Sequence, residues 1–294
     1  MPLFTADLHS AWIHFLHPQI RSRLGSIRHV LFDFDGTISV LRQGWEDVMI
    51  PLMVEEICGL PPGSPDGNPQ IEAEVRAYVD RSSGILTIRQ MQWLAEAAQR
   101  HGIARQVRTA REYKALYLER LMVRVGQRMH ALANGESKAQ ANSIAGAEDF
   151  IRELARRGVR LYLASGTDHQ DVLAEAGALG LLPYFAGHVY GALEDNEEHA
   201  KERVIQRILA ENNLAGEALL VVGDGPVEIR EGALRHALTL GVASNELARQ
   251  GWNPAKVDRL VNAGADMLVA DFKEYERLTA LLFDAGPIII EKSA

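Results

Sequence analysis

Short apolar runs alternate with longer amphipathic segments in two separate parts of the chain. The apolar runs cover residues 27–32, 159–164, 218–222, 237–243 and 267–270. Runs of this kind are typical of strands that are buried on both faces of a parallel sheet. The helical patterns of these parts cover residues 147–157, 168–178 and 200–212. The alternation of strands and helices predicts an α/β fold with a doubly wound parallel sheet.

The stretch between residues 40 and 145 has a different pattern, in which helical segments dominate. These segments cover residues 46–57, 71–80, 87–100 and 103–129. Pro51 predicts a kink or a new start inside the first of them. The predicted division is an N-terminal arm at 1–26, an α/β core at 27–39 and 146–284, an inserted all-helical domain at 40–145, and a C-terminal tail at 285–294. In the arm, we expect His14 and His17 to share one face of a helix.

The composition narrows the class of protein. With 47% hydrophobic and 24% charged residues, the 294-residue chain is typical of a globular protein with a large core. The formal net charge of −8 argues against a protein that coats nucleic acid. The single cysteine, Cys58, cannot form an internal disulfide and fits a reducing compartment. Because no apolar stretch approaches 18 residues, we expect no membrane span and a cytoplasmic protein.

Residues with reactive side chains follow the predicted strands or open the helices beside them. They are Asp33, Asp35, Ser165, Lys201, Asp224 and Glu228. Ligands of open α/β sheets bind at the carboxyl ends of the strands, so we expect these side chains to converge at one edge. Carboxylates there would bind a hard cation such as Mg²⁺, and a hydroxyl with an ammonium would bind phosphoryl oxygens. One carboxylate could then attack the phosphoryl group while a second transfers protons.

The same residues, taken in order, resemble the four motifs of the haloacid dehalogenase-like hydrolase superfamily. Residues 33–37 match its first motif, Asp-x-Asp-Gly-Thr, in full. Ser165 after an apolar strand matches the second motif, and Lys201 at a helix start matches the third. The fourth motif, Gly-Asp with a further acid, is matched by Asp224 with Glu228 four positions later.

The resemblance implies a catalytic role for four residues. Asp33 would be the nucleophile, and Asp35 would be the general acid and base. Ser165 and Lys201 would bind the phosphoryl group. Because Asp35 supplies the proton that an alcohol leaving group needs, the resemblance favours a phosphatase over a dehalogenase.

The resemblance also implies a Mg²⁺ cofactor. Asp33, Asp224 and the backbone carbonyl of Asp35 would be its ligands. Glu228 is longer than the aspartate that is common at its position, so it would bind the ion directly or through water, or would only orient its neighbours. These readings stay open at the level of sequence.

The helical insertion resembles the cap that closes over the active site in this superfamily. We therefore expect the turn at 82–87 and the region after the first motif to approach the substrate. The candidate substrate-binding residues are Arg42, Thr87, Arg89, Gly166 and Thr167. The cap sequence leaves a sugar phosphate, a phosphoglycolate-like acid and a nucleotide open as substrates.

The function that the resemblance implies is Mg²⁺-dependent hydrolysis of a small phosphorylated metabolite through an aspartyl-phosphate. No nucleic-acid or membrane partner is expected. Two alternatives stand beside it: a phosphomutase of a sugar phosphate, and a phosphorylation-switched signalling or binding protein. Receiver modules of the second kind also combine an aspartate, a hydroxyl residue and a lysine on a similar sheet.

Overall fold

The computed structural model describes residues 11–61, 63–64, 67–193 and 200–284. The first ten residues of the predicted arm and the predicted tail at 285–294 lie outside these ranges. Within them the chain forms a seven-stranded sheet in the order β1-β7-β6-β5-β2-β3-β4. The strands are β1 (Ile13–Phe15), β2 (His29–Asp33), β3 (Arg160–Asp168), β4 (Val189–Ala192), β5 (Leu219–Gly223), β6 (Leu238–Val242) and β7 (Met267–Val269).

Helices cover both faces of this sheet. Alternate residues of β2 point to opposite sides, so Phe32 packs in one apolar cluster with Phe150, while Leu31 packs in another with Val204. The helices of this part are α5 (Ala147–Arg156), α6 (His169–Ala178), α7 (Leu182–Phe185), α8 (Lys201–Glu211), α9 (Pro226–Leu234), α10 (Pro254–Ala263) and α11 (Tyr275–Phe283). Strands β2 to β7 pair in parallel with one another. The predicted doubly wound α/β fold is confirmed.

Four long helices lie in the described chain between β2 and β3. They are α1 (Glu46–Cys58), α2 (Pro69–Arg81), α3 (Thr87–His101) and α4 (Ala110–Ala133). Their apolar faces form a cluster of their own, which includes Met49, Leu52, Val75, Leu94 and Leu121. We call α1–α4 the helical unit. Because this cluster is separate from those of the sheet, the helical unit buries its own core.

Two local signals set the bounds of these helices. The helix predicted over 103–129 begins only at Ala110, so that prediction is wrong at its start. Gly102 in the left-handed conformation ends α3, and Thr109 caps α4 in a reciprocal pair of hydrogen bonds with Glu112. Pro51 lies inside α1, which continues through it from Glu46 to Cys58.

The described part of the arm differs from the prediction of a helix. His14 lies in β1, which pairs antiparallel with β7, and His17 precedes a short 3-10 helix. The sheet edge overrides the helical pattern because β7 offers backbone groups that β1 can pair with. The His14 ring lies 4.9 Å from that of Trp252. Among the described helices, none combines the length and the apolar character needed to cross a membrane.

Candidate active site

The carboxyl ends of β2, β3 and β5 bring the motif residues to one edge of the sheet. Asp33 ends β2 and pairs in register with Ala164 of β3, so Ser165 follows directly alongside. Gly223 ends β5, which lies on the other side of β2, and Asp224 follows it. The two parallel pairings of β2 thus bring together residues that are far apart in the sequence.

Lys201 connects two of the carboxylates at this edge. It is the first residue of α8, and its Nζ lies 2.8 Å from Asp33 Oδ1 and 2.8 Å from Glu228 Oε2. Burial disfavours charge on this ammonium, but the two carboxylates outweigh burial and raise the pKa of Lys201. Burial also raises the pKa of Asp33; Lys201 opposes this change, while the negative charges of Glu228 and Asp224 add to it.

Asp35 lies just beyond β2 and accepts hydrogen bonds from two hydroxyl groups. Ser165 Oγ and Thr167 Oγ1 donate to Asp35 Oδ2 over 2.9 and 3.0 Å. The Thr167 N–H donates to Ser165 Oγ over 3.0 Å. The other carboxylate oxygen, Asp35 Oδ1, is buried and has no hydrogen-bond partner in the described part of the chain. Because buried polar atoms are nearly always paired, this oxygen indicates a place for a ligand group.

Gly36 lets the turn after β2 approach the fourth motif closely. Its φ of +77° lies in the left-handed region, and a Cβ atom on Gly36 would lie 2.4 Å from Asp224 Oδ2. The next residue, Thr37, donates from Oγ1 to Asp224 Oδ1 over 3.2 Å. Any side chain at position 36 would therefore displace the carboxylate of Asp224.

A second buried lysine, which motif reasoning missed, binds the same carboxylate. Lys256 Nζ lies 2.5 Å from Asp224 Oδ2 and 2.7 Å from Glu246 Oε1. Burial disfavours charge on Lys256, but these carboxylates outweigh burial and raise the pKa of Lys256. Burial alone would raise the pKa of Asp224, but the positive charge and the hydrogen bond of Lys256 outweigh burial and lower it. The sequence does carry a signal, because Lys256 shares the buried face of α10 with Leu260 and Ala263. A lysine on such a face requires a partner.

Three carboxylates at this edge could hold a metal ion. One oxygen from each of Asp33, Asp224 and Glu228 lies within 4.8 Å of the other two, and all three residues are buried. Lys201 and Lys256 supply two positive charges against these three negative ones. A buried, oxygen-only and net negative donor set fits a hard divalent cation.

Both oxygens of Glu228 accept hydrogen bonds from neighbouring donors. The Gly225 N–H donates to Glu228 Oε1 over 2.7 Å, and Lys201 donates to Oε2. A Cβ atom on Gly223 would lie 2.3 Å from Glu228 Oε1, so the glycines on either side of Asp224 make room for this carboxylate. These contacts suit a residue that orients Lys201.

Five of the motif residues line a cavity that we call the active-site pocket: Asp33, Asp35, Ser165, Lys201 and Asp224. The helical unit and the turns next to it supply a further part of its wall. Their uncharged lining residues are Gln43, Trp45, Ser83, Gly84, Ile85, Thr87, Gln90 and Tyr117. The pocket is therefore a site shared between the sheet edge and the helical unit.

The turn between α2 and α3 sits directly on the motif residues. A Cβ atom on Gly166 would lie 2.3 Å from the carbonyl oxygen of Ile85, and one on Gly84 would lie 3.3 Å from Lys201 Nζ. Thr87 Oγ1 donates to the Gly166 carbonyl over 3.5 Å. The backbones of Gly166 and Ile85 are therefore in close contact, and the turn between α2 and α3 closes one side of the pocket.

The two arginines among the candidate substrate-binding residues occupy different places. Arg42 lines the pocket, but its Nη2 lies 2.6 Å from Glu175 Oε1 and 2.9 Å from Asp171 Oδ2. Burial raises the pKa of Glu175 to about 7, against the lowering effect of Arg42. Arg89 is exposed and is not among the described residues that line the pocket. The structure therefore brings Arg42 to the pocket and leaves Arg89 outside it.

Comparison with known proteins agrees with this arrangement of fold and motifs. A family model described as a haloacid dehalogenase-like hydrolase matches residues 27–234. No curated protein sequence matches the chain.

Solved structures share the fold at low sequence identity. A predicted phosphatase from Clostridium acetobutylicum is 15% identical, with a TM-score of 0.57 over 86% of this chain and 98% of that one. A predicted phosphoglycolate phosphatase from Haemophilus somnus 129PT is 16% identical, with a TM-score of 0.56 over 86% and 98% of the two chains. A β-phosphoglucomutase from Clostridium difficile is 12% identical, with a TM-score of 0.55 over 88% and 98%.

Proposed function

The chain belongs to the haloacid dehalogenase-like hydrolase family, and from that premise we propose that it is a Mg²⁺-dependent phosphatase of a small phosphorylated metabolite. One observation carries the proposal. The pocket combines Asp33, contacted by Lys201, with Asp35, which has an unpaired buried oxygen. A carboxylate nucleophile beside a cationic phosphoryl site, with a second carboxylate that can exchange a proton, is the set that this hydrolysis needs.

In the first step, an oxygen of Asp33 attacks phosphorus and the bond from phosphorus to the leaving oxygen breaks. Lys201 and Ser165 bind the phosphoryl oxygens, since Lys201 already lies 2.8 Å from the attacking carboxylate. Asp35 begins this step protonated and gives its proton to the leaving oxygen. We assign that proton to Oδ1, because Oδ2 accepts the hydroxyls of Ser165 and Thr167.

In the second step, water attacks the phosphorus of the aspartyl-phosphate. Asp35, now ionised, takes a proton from this water, and the bond between phosphorus and Asp33 breaks. Inorganic phosphate leaves, Asp33 returns as a carboxylate and Asp35 returns as the acid. The two carboxylates thereby complete a cycle without a further reactant.

Asp33, Asp224 and the backbone carbonyl of Asp35 are the residues that we propose to hold Mg²⁺. When bound, the ion neutralises charge on the phosphoryl oxygens and on the surrounding carboxylates. Glu228 holds Lys201 in place in this proposal, because its Oε2 accepts from Lys201 while the Gly225 N–H fixes its Oε1.

The proposal includes the division of the chain into a core at 27–39 and 146–284 and a cap at 40–145. Two observations support it: the helical unit has its own apolar cluster, and its turn at 82–87 contacts Gly166. A cap in this position excludes bulk water from the pocket, which protects the aspartyl-phosphate until the second step.

The test is hydrolysis of 4-nitrophenyl phosphate with Mg²⁺ and with a chelator. We expect Asp33→Asn to abolish turnover and Asp35→Asn to slow it by about 10²- to 10⁴-fold, the usual contribution of a general acid. Asp47→Asn is the matched control, because the Asp47 side chain is 72% exposed on α1. In a second assay with a sugar phosphate, an isomeric sugar phosphate formed without released phosphate would favour a mutase. Full turnover by Asp33→Asn would contradict the proposal.

A further inference from the structure

We infer that the pocket accepts an uncharged, hydroxyl-bearing leaving group, so that the substrate is a monophosphate of a sugar or polyol and not of a carboxylic acid. The inference rests on the proposed function, because it concerns the alcohol that departs from phosphorus. It is drawn from the charges and the unused hydrogen-bonding groups of the pocket wall beyond Asp33 and Lys201.

Two positively charged side chains line the described part of the pocket. Among the described lining residues these are Lys201, which belongs to the proposed phosphoryl site, and Arg42. The guanidinium of Arg42 contacts Glu175 at 2.6 Å and Asp171 at 2.9 Å, so one positive charge faces two carboxylates. A substrate carboxylate would have to displace one of these acids to obtain a charged partner.

The pocket wall also carries negatively charged side chains. Asp35 and Glu246 also line the pocket. Lys256 contacts Glu246, but it contacts Asp224 as well, so its single charge is shared between two acids. A carboxylate on the leaving group would therefore meet repulsion, which grows stronger where water is excluded. An uncharged leaving group has no such cost.

Three uncharged polar side chains of the pocket wall have no hydrogen-bond partner in the described part of the chain. Tyr117, Ser83 and Trp45 line the pocket, and their hydroxyl and indole N–H groups make no hydrogen bond within the described structure. Burial raises the pKa of Tyr117, so its hydroxyl keeps its proton and can donate as well as accept. Uncharged donors and acceptors of this kind match the hydroxyl groups of a sugar or polyol.

These unpaired groups also explain why such a substrate would be preferred. A site that is built to pair with a hydroxyl rejects a ligand without one, because its own polar groups are then left buried and unsatisfied. The Tyr117 side chain is 4% exposed, so bulk water reaches its hydroxyl poorly once the pocket is filled.

The experiment compares sorbitol 6-phosphate with 6-phosphogluconate, which differ only in a terminal CH₂OH against COO⁻. Affinities are measured by calorimetry on the Asp33→Asn variant with Mg²⁺, so that no turnover intervenes. We expect the polyol phosphate to bind at least about tenfold more tightly, equivalent to about 1.4 kcal/mol. Equal or tighter binding of the acid overturns the inference.

The same experiment separates this inference from the proposed function. Turnover of 4-nitrophenyl phosphate by the wild type tests the chemistry, whereas the affinity ratio tests the pocket. A polyol preference without any turnover would support the preference of the pocket for an uncharged, hydroxyl-bearing ligand and overturn the phosphatase proposal. Turnover together with tighter binding of the acid would support the phosphatase proposal and overturn the inference about the leaving group.

Two matched variants test the hydroxyl of Tyr117. Tyr117→Phe should weaken binding of the polyol phosphate by about threefold to tenfold, the value of one neutral hydrogen bond. Tyr113→Phe is the control on the same helix, because the Tyr113 hydroxyl accepts from the Arg108 N–H and does not line the pocket. The Tyr113 variant should keep the wild-type affinity ratio. An unchanged ratio in Tyr117→Phe overturns the assignment of this hydroxyl.

Discussion

Replacing Lys256 with methionine tests whether its ammonium compensates the negative charge of the active site. Methionine keeps an unbranched, flexible side chain that is one atom shorter than that of lysine, and it removes the charge. In the wild type, Nζ contacts Asp224 and Glu246, and the Lys256 side chain is 4% exposed. Without the ammonium, the two carboxylates lose the cation that they share, so the folded state carries an additional uncompensated charge.

The size of the effect follows from these contacts. Removing one partner of a buried ion pair costs about 3–5 kcal/mol, because the other charge stays buried. Glu246 is 21% exposed and Thr37 donates to Asp224, and both features reduce the cost. We therefore expect Lys256→Met to lower the free energy of unfolding by about 3 kcal/mol in a chelator. Mg²⁺ should reduce this deficit, since an ion held by Asp224 supplies positive charge in the folded state alone.

The assay is denaturant unfolding followed by tryptophan fluorescence, with a chelator and with saturating Mg²⁺. Lys273→Met is the control, because Lys273 is exposed, and it should change stability by less than about 0.5 kcal/mol. Adding Asp224→Asn to Lys256→Met should recover part of the loss, as the two sites are in contact. If Lys256→Met matches the Lys273 control in both conditions, the ammonium has no compensating role.

Two further predictions concern Gly166 in the pocket wall and Glu175, the buried partner of Arg42. Gly166→Ala should lower kcat/KM for an aryl phosphate at least about tenfold, because a Cβ atom at this position would lie 2.3 Å from the Ile85 carbonyl oxygen. Gly126→Ala is the control and should leave the activity unchanged, because a Cβ atom on Gly126 would have no atom within 4 Å other than the backbone of its own helix. Burial raises the pKa of Glu175 from 4.5 to about 7, despite the opposing effect of Arg42. Because the folded state holds the proton of Glu175 more tightly than the unfolded state, protonation of Glu175 stabilises the fold. This stabilisation is complete below pH 4.5 and is lost as the pH rises through 7. The free energy of unfolding, relative to Glu175→Gln, should fall by about 2 kcal/mol between pH 5 and pH 8, and a flat or rising difference would contradict this sign.

The elements that the sequence predicted well are those whose burial is complete. Every residue of β2 and β5 is buried, so each strand appears as a continuous apolar run. β4 was not predicted, because its four residues include Gly191 and the half-buried Tyr190. The local pattern of β1 predicts a helix, because the pairing of β1 depends on the distant edge of β7 and not on its own pattern. Local patterns therefore identify central strands better than edge strands.

The same distinction applies to the site. Asp33, Ser165 and Lys201 were predictable because each follows a strand or opens a helix, and the order of such positions is readable along the chain. The partners of Arg42 were not predictable, because Glu175 comes to it only through the packing of the fold. Charge pairs of this kind decide which groups are available to a ligand, and they appear only in three dimensions.

The pairing of β2 with β3 has a consequence for how the chain folds. The whole helical unit lies between the two strands, so their ladder closes a long loop, and the entropic cost must be met before the ladder forms. The apolar cluster of α1–α4 is more local in sequence, and its early collapse would bring the ends of that loop closer together. We therefore expect the helices to form before the β2–β3 ladder. During synthesis, Asp33 leaves the ribosome well before Ser165 and Asp224, and catalytic competence is reached only when the last of these strands has joined the sheet.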